Sequence, residues 1–155
     1  MVPSRTLCSW FAIVALACGQ PAAGADDRAL AAGRWRVVSA VWDGTPVEED
    51  LLARLDVTFR ADGSWAVFLR RVPVAEGSST QRQDIAPKTF DMQTLGSVGI
   101  EPARYLGIYR LDGDTGMLCM VAAGMPRPDE FAAPRHSGRM LVTLERVRGG
   151  HGGGR

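Results

Sequence analysis

Residues 105–122 read YLGIYRLDGDTGMLCMVA, and the fold turns on how this stretch is read. Two runs rich in aromatic, branched and sulfur-bearing side chains, residues 105–111 and 117–122, flank Asp112-Gly113-Asp114-Thr115. An Asp-Gly pair between apolar runs is a strong short-range signal for a β-hairpin, because glycine adopts the positive φ that a tight turn needs. Setting Arg110 opposite Met117 puts Tyr109 opposite Leu118 and Leu111 opposite Gly116. That register keeps the charge off the apolar face.

The same grammar extends in both directions. Residues 55–60 (LDVTFR) alternate, with Leu55, Val57 and Phe59 on one face and Asp56, Thr58 and Arg60 on the other, the period-2 pattern of a half-buried strand. Residues 61–64 (ADGS) turn the chain into 65–71 (WAVFLRR), which makes a second hairpin. A first strand is predicted over 34–42 (RWRVVSAVW), closed by Asp43-Gly44-Thr45-Pro46, and a last one over 140–147, where Met140, Val142 and Leu144 share a face. Residues 48–52 read as one helical turn and 75–80 (AEGSST) as a polar loop. Residues 82–85 and 89–92 read as weaker strands around Pro87, which points to an edge or a bulge. A loop is expected over 93–101, and residues 124–138, with three prolines, read as a long irregular connection. About eight strands joined mainly by short turns suit a small antiparallel barrel or a sandwich.

On these residues the chain resembles a known family. Gly33-Arg34-Trp35 is similar to the GxW that opens the first strand of lipocalins. The longer run GRWRVVSAVWDG, followed in order by LDVTF, LGIYRLDGDTGMLCM, PRPDEF and LVTLERV, resembles a lipocalin-like domain family of unknown function found mainly in Planctomycetes. The resemblance spans about residues 29–148, taken as one domain. It implies an all-β, eight-stranded antiparallel up-and-down barrel in which Trp35 closes one end and Arg146 covers the indole. A guanidinium over an indole contributes roughly 0.5 to 2 kcal/mol, and Arg146 has the parity of Val142 and Leu144 needed to point inward. Both residues are expected to be structural.

Ahead of this domain, Arg5 and the uncharged apolar run 7–17 (LCSWFAIVALA) have the build of a secretory signal, with Ala23-Gly24-Ala25 at the spacing signal peptidase accepts. The run is too short to span a bilayer, which takes roughly 20 apolar residues. Cleavage after Ala25 gives a domain over 26–148, exported to the periplasm or secreted, and a Gly-rich tail over 149–155 expected to be disordered. A second route competes with this one: Ala15-Leu16-Ala17-Cys18 resembles a bacterial lipobox with its leucine one place late. Only lipidation of Cys18 would bring the protein to a membrane, as an outer-envelope lipoprotein. Either way Cys119 lacks an intramolecular disulfide partner once Cys8 and Cys18 leave or are modified, and it reads as a small buried hydrophobe.

The chemistry-bearing inventory is thin. With 18 basic and 17 acidic residues the net charge is +1, which argues against nucleic acid as a partner. His136 and Ser137 are adjacent in sequence and cannot face each other as a catalytic dyad, while His151 lies in the tail. Metal-ligand spacings of the HxxxH or CxxC kind are absent, and no cofactor is expected. Asp112-Gly113-Asp114 lacks the glutamate an EF-hand loop needs, since position twelve is Ala123. Gly96-Ser97-Val98-Gly99 lacks the lysine of a phosphate loop. Asp26-Asp27 and Glu48-Glu49-Asp50 read as solvated acidic clusters, and Arg70-Arg71 is too small for a nucleic-acid patch.

The inward set predicted from parity is Val37, Val41, Val57, Phe59, Val67, Leu69, Tyr109, Leu118, Met120, Val142 and Leu144. Of these, Val57, Phe59, Val67, Leu69, Tyr109, Leu118 and Met120 are the candidates for lining a ligand cavity, Tyr109 above all because a buried hydroxyl needs a partner. The expectation is an exported, non-enzymatic domain that binds a small apolar or amphipathic molecule in its barrel. The alternative is a filled barrel serving as a structural or protein-interaction module of the cell envelope. The sequence sets no oligomeric state.

Overall fold

A computed structural model of the protein describes residues 26–96 and 101–148. The expected leader with Cys18 and Ala25, the tail with His151, and residues 97–99 of the glycine-serine run lie outside the described residues. The elements run α1 (Asp27–Ala31), β1 (Gly33–Trp42), β2 (Thr45–Pro46), α2 (Glu49–Leu52), β3 (Leu55–Phe59), β4 (Ser64–Leu69), β5 (Val72–Arg82), β6 (Lys88–Thr94), β7 (Arg104–Asp112), β8 (Thr115–Ala122) and β9 (Met140–Arg146). From β3 to β9 each strand pairs antiparallel with the next, and β1 joins β3 on one side and β9 on the other. Eight strands thus close into an up-and-down barrel, with the two-residue β2 as an extra strand on the end of β1.

Both hairpins read from the sequence form, the one over 105–122 in the expected register. Arg110 lies opposite Met117, Tyr109 opposite Leu118 and Leu111 opposite Gly116. Leu55, Val57 and Phe59 lie opposite Leu69, Val67 and Trp65. The helical turn is present as α2, whose Leu52 is buried against Val37, Ala40 and Leu55.

One strand carries a device that parity alone does not show. The β1–β9 register slips between Val37 and Ser39, so Val37 faces Leu144 but Ala40 faces Val142. Such a bulge bends and twists the strand, as closing a small barrel requires, and it reverses every later side chain. Val41, expected inward, is therefore turned out of the core, and Ala40 takes the interior place at 8% exposure.

Three other expectations are corrected. Residues 75–80 are not a loop but the middle of β5, paired with β4 on one side and β6 on the other. Low β-propensity is overridden there by a packing demand: a Cβ at Gly77 would meet the Gln93 carbonyl oxygen at 1.9 Å and the Trp65 ring at 2.7 Å. The strand over 65–71 stops at Leu69, and Arg70 and Arg71 form the β4–β5 turn with φ of 49° and 70°. Two-residue hairpins of this hand favour Asn-Gly, and each non-glycine residue held there costs roughly 1–2 kcal/mol. Finally, the weak strand over 82–85 ends at Arg82, and Pro87 lies in the β5–β6 turn rather than at an edge or bulge.

The core has two lobes. Trp35, Val37, Ala40, Leu52, Val142 and Leu144 form one, and Trp65, Phe90, Met92, Tyr109 and Met120 the other, with Phe59, Leu118 and Met140 packed against both. A second apolar layer lies outside the wall. Ile108, Cys119 and Val121 point outward by strand parity, yet are 0%, 0% and 3% exposed. The connection over 124–138 covers them: the Cys119 thiol contacts the Ala132 carbonyl at 3.4 Å, Arg110 lies 4.7 Å from the Phe131 ring centroid, and Arg127 Nη1 donates to the carbonyls of Phe90 and Gly107. What reads as an irregular loop is a strap.

Gly77→Ala should lower stability by about 2 kcal/mol or more, the range of overpacking a filled site, as measured by urea denaturation. A residue in a polar loop would tolerate the methyl group.

Candidate functional site

The barrel end at the first-strand tryptophan is where the structure concentrates its polar chemistry. Trp35 is 1% exposed, paired across β1 with Val57 and Arg146. The Arg146 guanidinium carbon lies 4.3 Å from the Trp35 ring centroid. Gly33 has φ of 134°, and a Cβ there would come within 2.8 Å of Arg146 Nη1. The glycine of GxW is thus required by its backbone and by the arginine that crosses it.

These two residues hold α1 across the end. A five-residue helix is not stable alone, and its last carbonyls have no partner within it. Trp35 Nε1 donates to the Ala31 carbonyl at 2.8 Å, Arg146 Nη1 to that of Ala32 at 2.7 Å, and Arg146 Nη2 to that of Leu30. A cation at a helix C-terminus is also the favourable sign for the helix dipole. Asp114 of the β7–β8 turn sits 3.3 Å from Arg146 Nε and pairs with Arg148. One face of the guanidinium thus covers the indole, and its nitrogens reach α1 and Asp114.

The other end of α1 corrects an expectation. Asp26 is a solvated cap, accepting from the Arg28 amide, but Asp27 is 5% exposed and not a surface carboxylate. Its Oδ2 accepts from Lys88 Nζ and from the Tyr109 hydroxyl, both at 2.7 Å, and its amide donates to Gln83 Oε1 at 3.0 Å. Burial pushes the Asp27 carboxyl up, but the Lys88 and Tyr109 hydrogen bonds and the lysine charge outweigh it, leaving the pKa below its ordinary value. Tyr109 is driven well above the ordinary phenol value by burial first and by the Asp27 hydrogen bond and charge second. Neutral phenol and ionised carboxylate stabilise each other. Tyr109 has found its partner in Asp27.

Beneath this lid the interior is almost full. The cavity under α1 measures about 40 Å³ and is walled by Trp35, Phe59, Phe90, Tyr109, Leu118 and Leu144, with Ser79 and Gln81 as polar members. That is room for a few water molecules, each needing roughly 10–15 Å³. Of the seven candidates for cavity lining, Phe59, Tyr109 and Leu118 border this space. Met120 is buried in the second lobe with Val67 beside it, Val57 packs on the first lobe, and Leu69, at the far end of β4, belongs to neither. Gln81 Oε1 and Trp65 Nε1 are buried without a hydrogen-bond partner among the described residues. A groove of about 570 Å³ runs along the rim outside, between the β5–β6 turn and Phe131, and shares Tyr109, Arg110 and Leu111 with the cavity.

The histidine of the strap is exposed with φ of 64°, and the neighbouring Ser137 hydroxyl donates to the Pro134 carbonyl at 2.6 Å. Asp43 closes this corner by accepting first from the Gly138 amide, which holds its pKa low. Among the described residues no cluster of three or more His, Cys, Asp or Glu could hold a metal ion. The sequence missed Asp27, Lys88 and Gln83 because they come from three distant segments, and no spacing announces that they meet.

The architecture is an all-β, lipocalin-like antiparallel barrel with a helical lid. No protein-family model matches the chain, and neither a curated protein nor a solved structure does.

Arg146→Ala removes the contact with the indole and two donors to α1, and should cost about 2–3 kcal/mol with the β-sheet circular dichroism spectrum retained. Asp27→Asn should cost about 2 kcal/mol at neutral pH. Because the folded-state pKa of Asp27 is depressed, its contribution is present above the ordinary carboxylate value and is lost as pH falls through that value to the lower folded one. The gap in melting temperature between wild type and Asp27→Asn should therefore close in acid. A gap unchanged with pH would show that the carboxylate is not held as described.

Proposed function

We propose that the protein is an exported, non-enzymatic domain of the cell envelope, whose filled barrel is a rigid scaffold that works through its surface. The carrying observation is the interior volume. Pockets for drug-sized ligands span roughly 300–1,000 Å³, and an apolar cavity of about 150 Å³ is what takes up benzene, against about 40 Å³ here. Leu52 of α2 is packed into the barrel core, and the strap covers Ile108, Cys119 and Val121 from outside. The signal-like segment ahead of Asp26 supports export. Among the described residues, no nucleophile and base are in mutual contact, which supports a non-enzymatic role: Tyr109 is held protonated, and the Ser137 hydroxyl is turned to a carbonyl.

A second reading is favoured by Gln81. Its Oε1 is buried without a partner among the described residues and Gln81 lines the small cavity, and the rim groove that shares Tyr109 with that cavity is large enough for an amphipathic molecule. A ligand lying in the groove with a hydrogen-bond donor reaching Gln81 would satisfy that oxygen, provided the Tyr109 side of the lid moves.

Intact mass of the exported protein, taken from its native envelope and measured before and after denaturation, separates the two. The filled-barrel reading expects the same mass at both steps. Extra mass lost on denaturation would overturn it in favour of the ligand. The denatured mass also tells a chain beginning at Asp26 from one beginning at a lipid-bearing Cys18.

A further inference from the structure

We propose that the groove between the β5–β6 turn and Phe131 is a binding site for a single-chain amphipathic carboxylate, held at its acid group by Arg110. The inference rests on the filled-barrel reading, because such a ligand lies outside the wall, and it names the chemistry through which that surface works. The groove holds about 570 Å³, within the roughly 300–1,000 Å³ of small-molecule sites. Its large apolar members are Ile85 and Pro87 of the turn, Leu111 of β7 and Phe131 of the strap. Ile85 is 38% exposed, left to water although three other apolar side chains line the same groove.

Charge decides what kind of molecule fits. Three charged side chains line the groove, those of Asp84, Lys88 and Arg110. Asp84 is paired with Arg82 at 3.2 Å, and Lys88 with the buried Asp27 at 2.7 Å. Arg110 is exposed and takes part in no ion pair among the described residues. Asp112, two positions along β7, is neither paired with it nor part of the groove. The groove therefore carries one uncompensated positive charge, and its complement is a single negative charge on the occupant. Arg110 is also held ready for one. Its guanidinium lies 4.7 Å from the Phe131 ring centroid, and stacking uses a face of the planar group while its N–H edge can grip a carboxylate through two parallel bonds. A guanidinium fixed in this way loses less freedom on binding than a free one. With the acid group on Arg110, the apolar body of the ligand falls to the remaining apolar lining. A polar anion would leave that lining wet, and a neutral lipid would leave the charge unanswered.

Calorimetric titration of decanoate, kept below its micelle concentration, into the exported protein tests the site, with circular dichroism confirming that each variant is folded. Wild type should bind decanoate saturably, with an affinity that falls as salt is raised. Arg110→Gln should bind at least tenfold more weakly, and so should Ile85→Glu, which sets a negative charge on the apolar lining. Decanol, with the same tail and no charge, should bind wild type at least tenfold more weakly than decanoate. Gln81→Leu should bind decanoate as wild type does, since Gln81 lines the interior cavity and not the groove. A wild type that does not bind decanoate, a variant at Arg110 or Ile85 that binds as wild type does, or decanol binding as tight as decanoate would each overturn the proposal and leave the filled barrel standing. Binding lost in Gln81→Leu would route the ligand into the barrel and overturn both. A ligand in an open groove exchanges away during purification, so the intact-mass comparison still reports on the interior alone.

Discussion

The seam between β1 and β9 is the contact on which the rest of the molecule depends. Without it the chain is an open meander with two unpaired edges, each a site for association with other chains. With it, no barrel strand keeps a free edge along its closed length, and one interior is defined. The seam begins where Trp35 lies opposite Arg146. That single pair does three things at once: it joins first strand to last, it fills the narrow end with an indole, and it offers three donors to the carbonyls of α1. Remove the arginine and the lid loses its anchor as well as the strand its cover.

The surrounding elements solve problems that closure creates. A short strand pair cannot curve enough without an irregularity, and the slip at Val38 supplies the bend while moving Ala40, a small side chain, into the tight interior. β3 pairs only with the first residues of β1, so the gap beside the second half is filled by β2 and by Leu52 of α2. Uncovered, the outward Ile108, Cys119 and Val121 of β7 and β8 would be an exposed apolar patch, and the strap covers them. Arg127 ties that strap to the backbone of β6 and β7 and to Asp91. Gly107 is small for the same reason Gly77 is: a Cβ would strike the Phe90 ring at 2.4 Å.

Much of this was legible in the residues. Period-2 alternation and Asp-Gly turns point to the two hairpins over 55–71 and 105–122, the second in its observed register, because local turn chemistry fixes register directly. The parity of Arg146 put it on the inner face. What escaped has a common cause in tertiary pairing. The stretch 75–80 has the composition of a loop, and only its position between Trp65 and Gln93 makes it a strand. The slip at Val38 leaves no composition signal, so parity alone points Val41 to the wrong face. Asp27, Lys88 and Tyr109 meet from a helix and two strands 61 and 82 residues away from the aspartate in sequence, and no local pattern encodes that meeting. Nor does a strand pattern foresee the strap, whose prolines and glycines speak for irregular backbone and not for what it covers.

Long-range proton contacts across the seam, measured by solution NMR, test closure most directly. The account predicts contacts between Trp35 and Arg146, Val37 and Leu144, and Ala40 and Val142, with Val38 skipped. Contacts from β1 to β3 alone would mean an open sheet, and Ser39 opposite Val142 would mean an unbroken register; either result would contradict it.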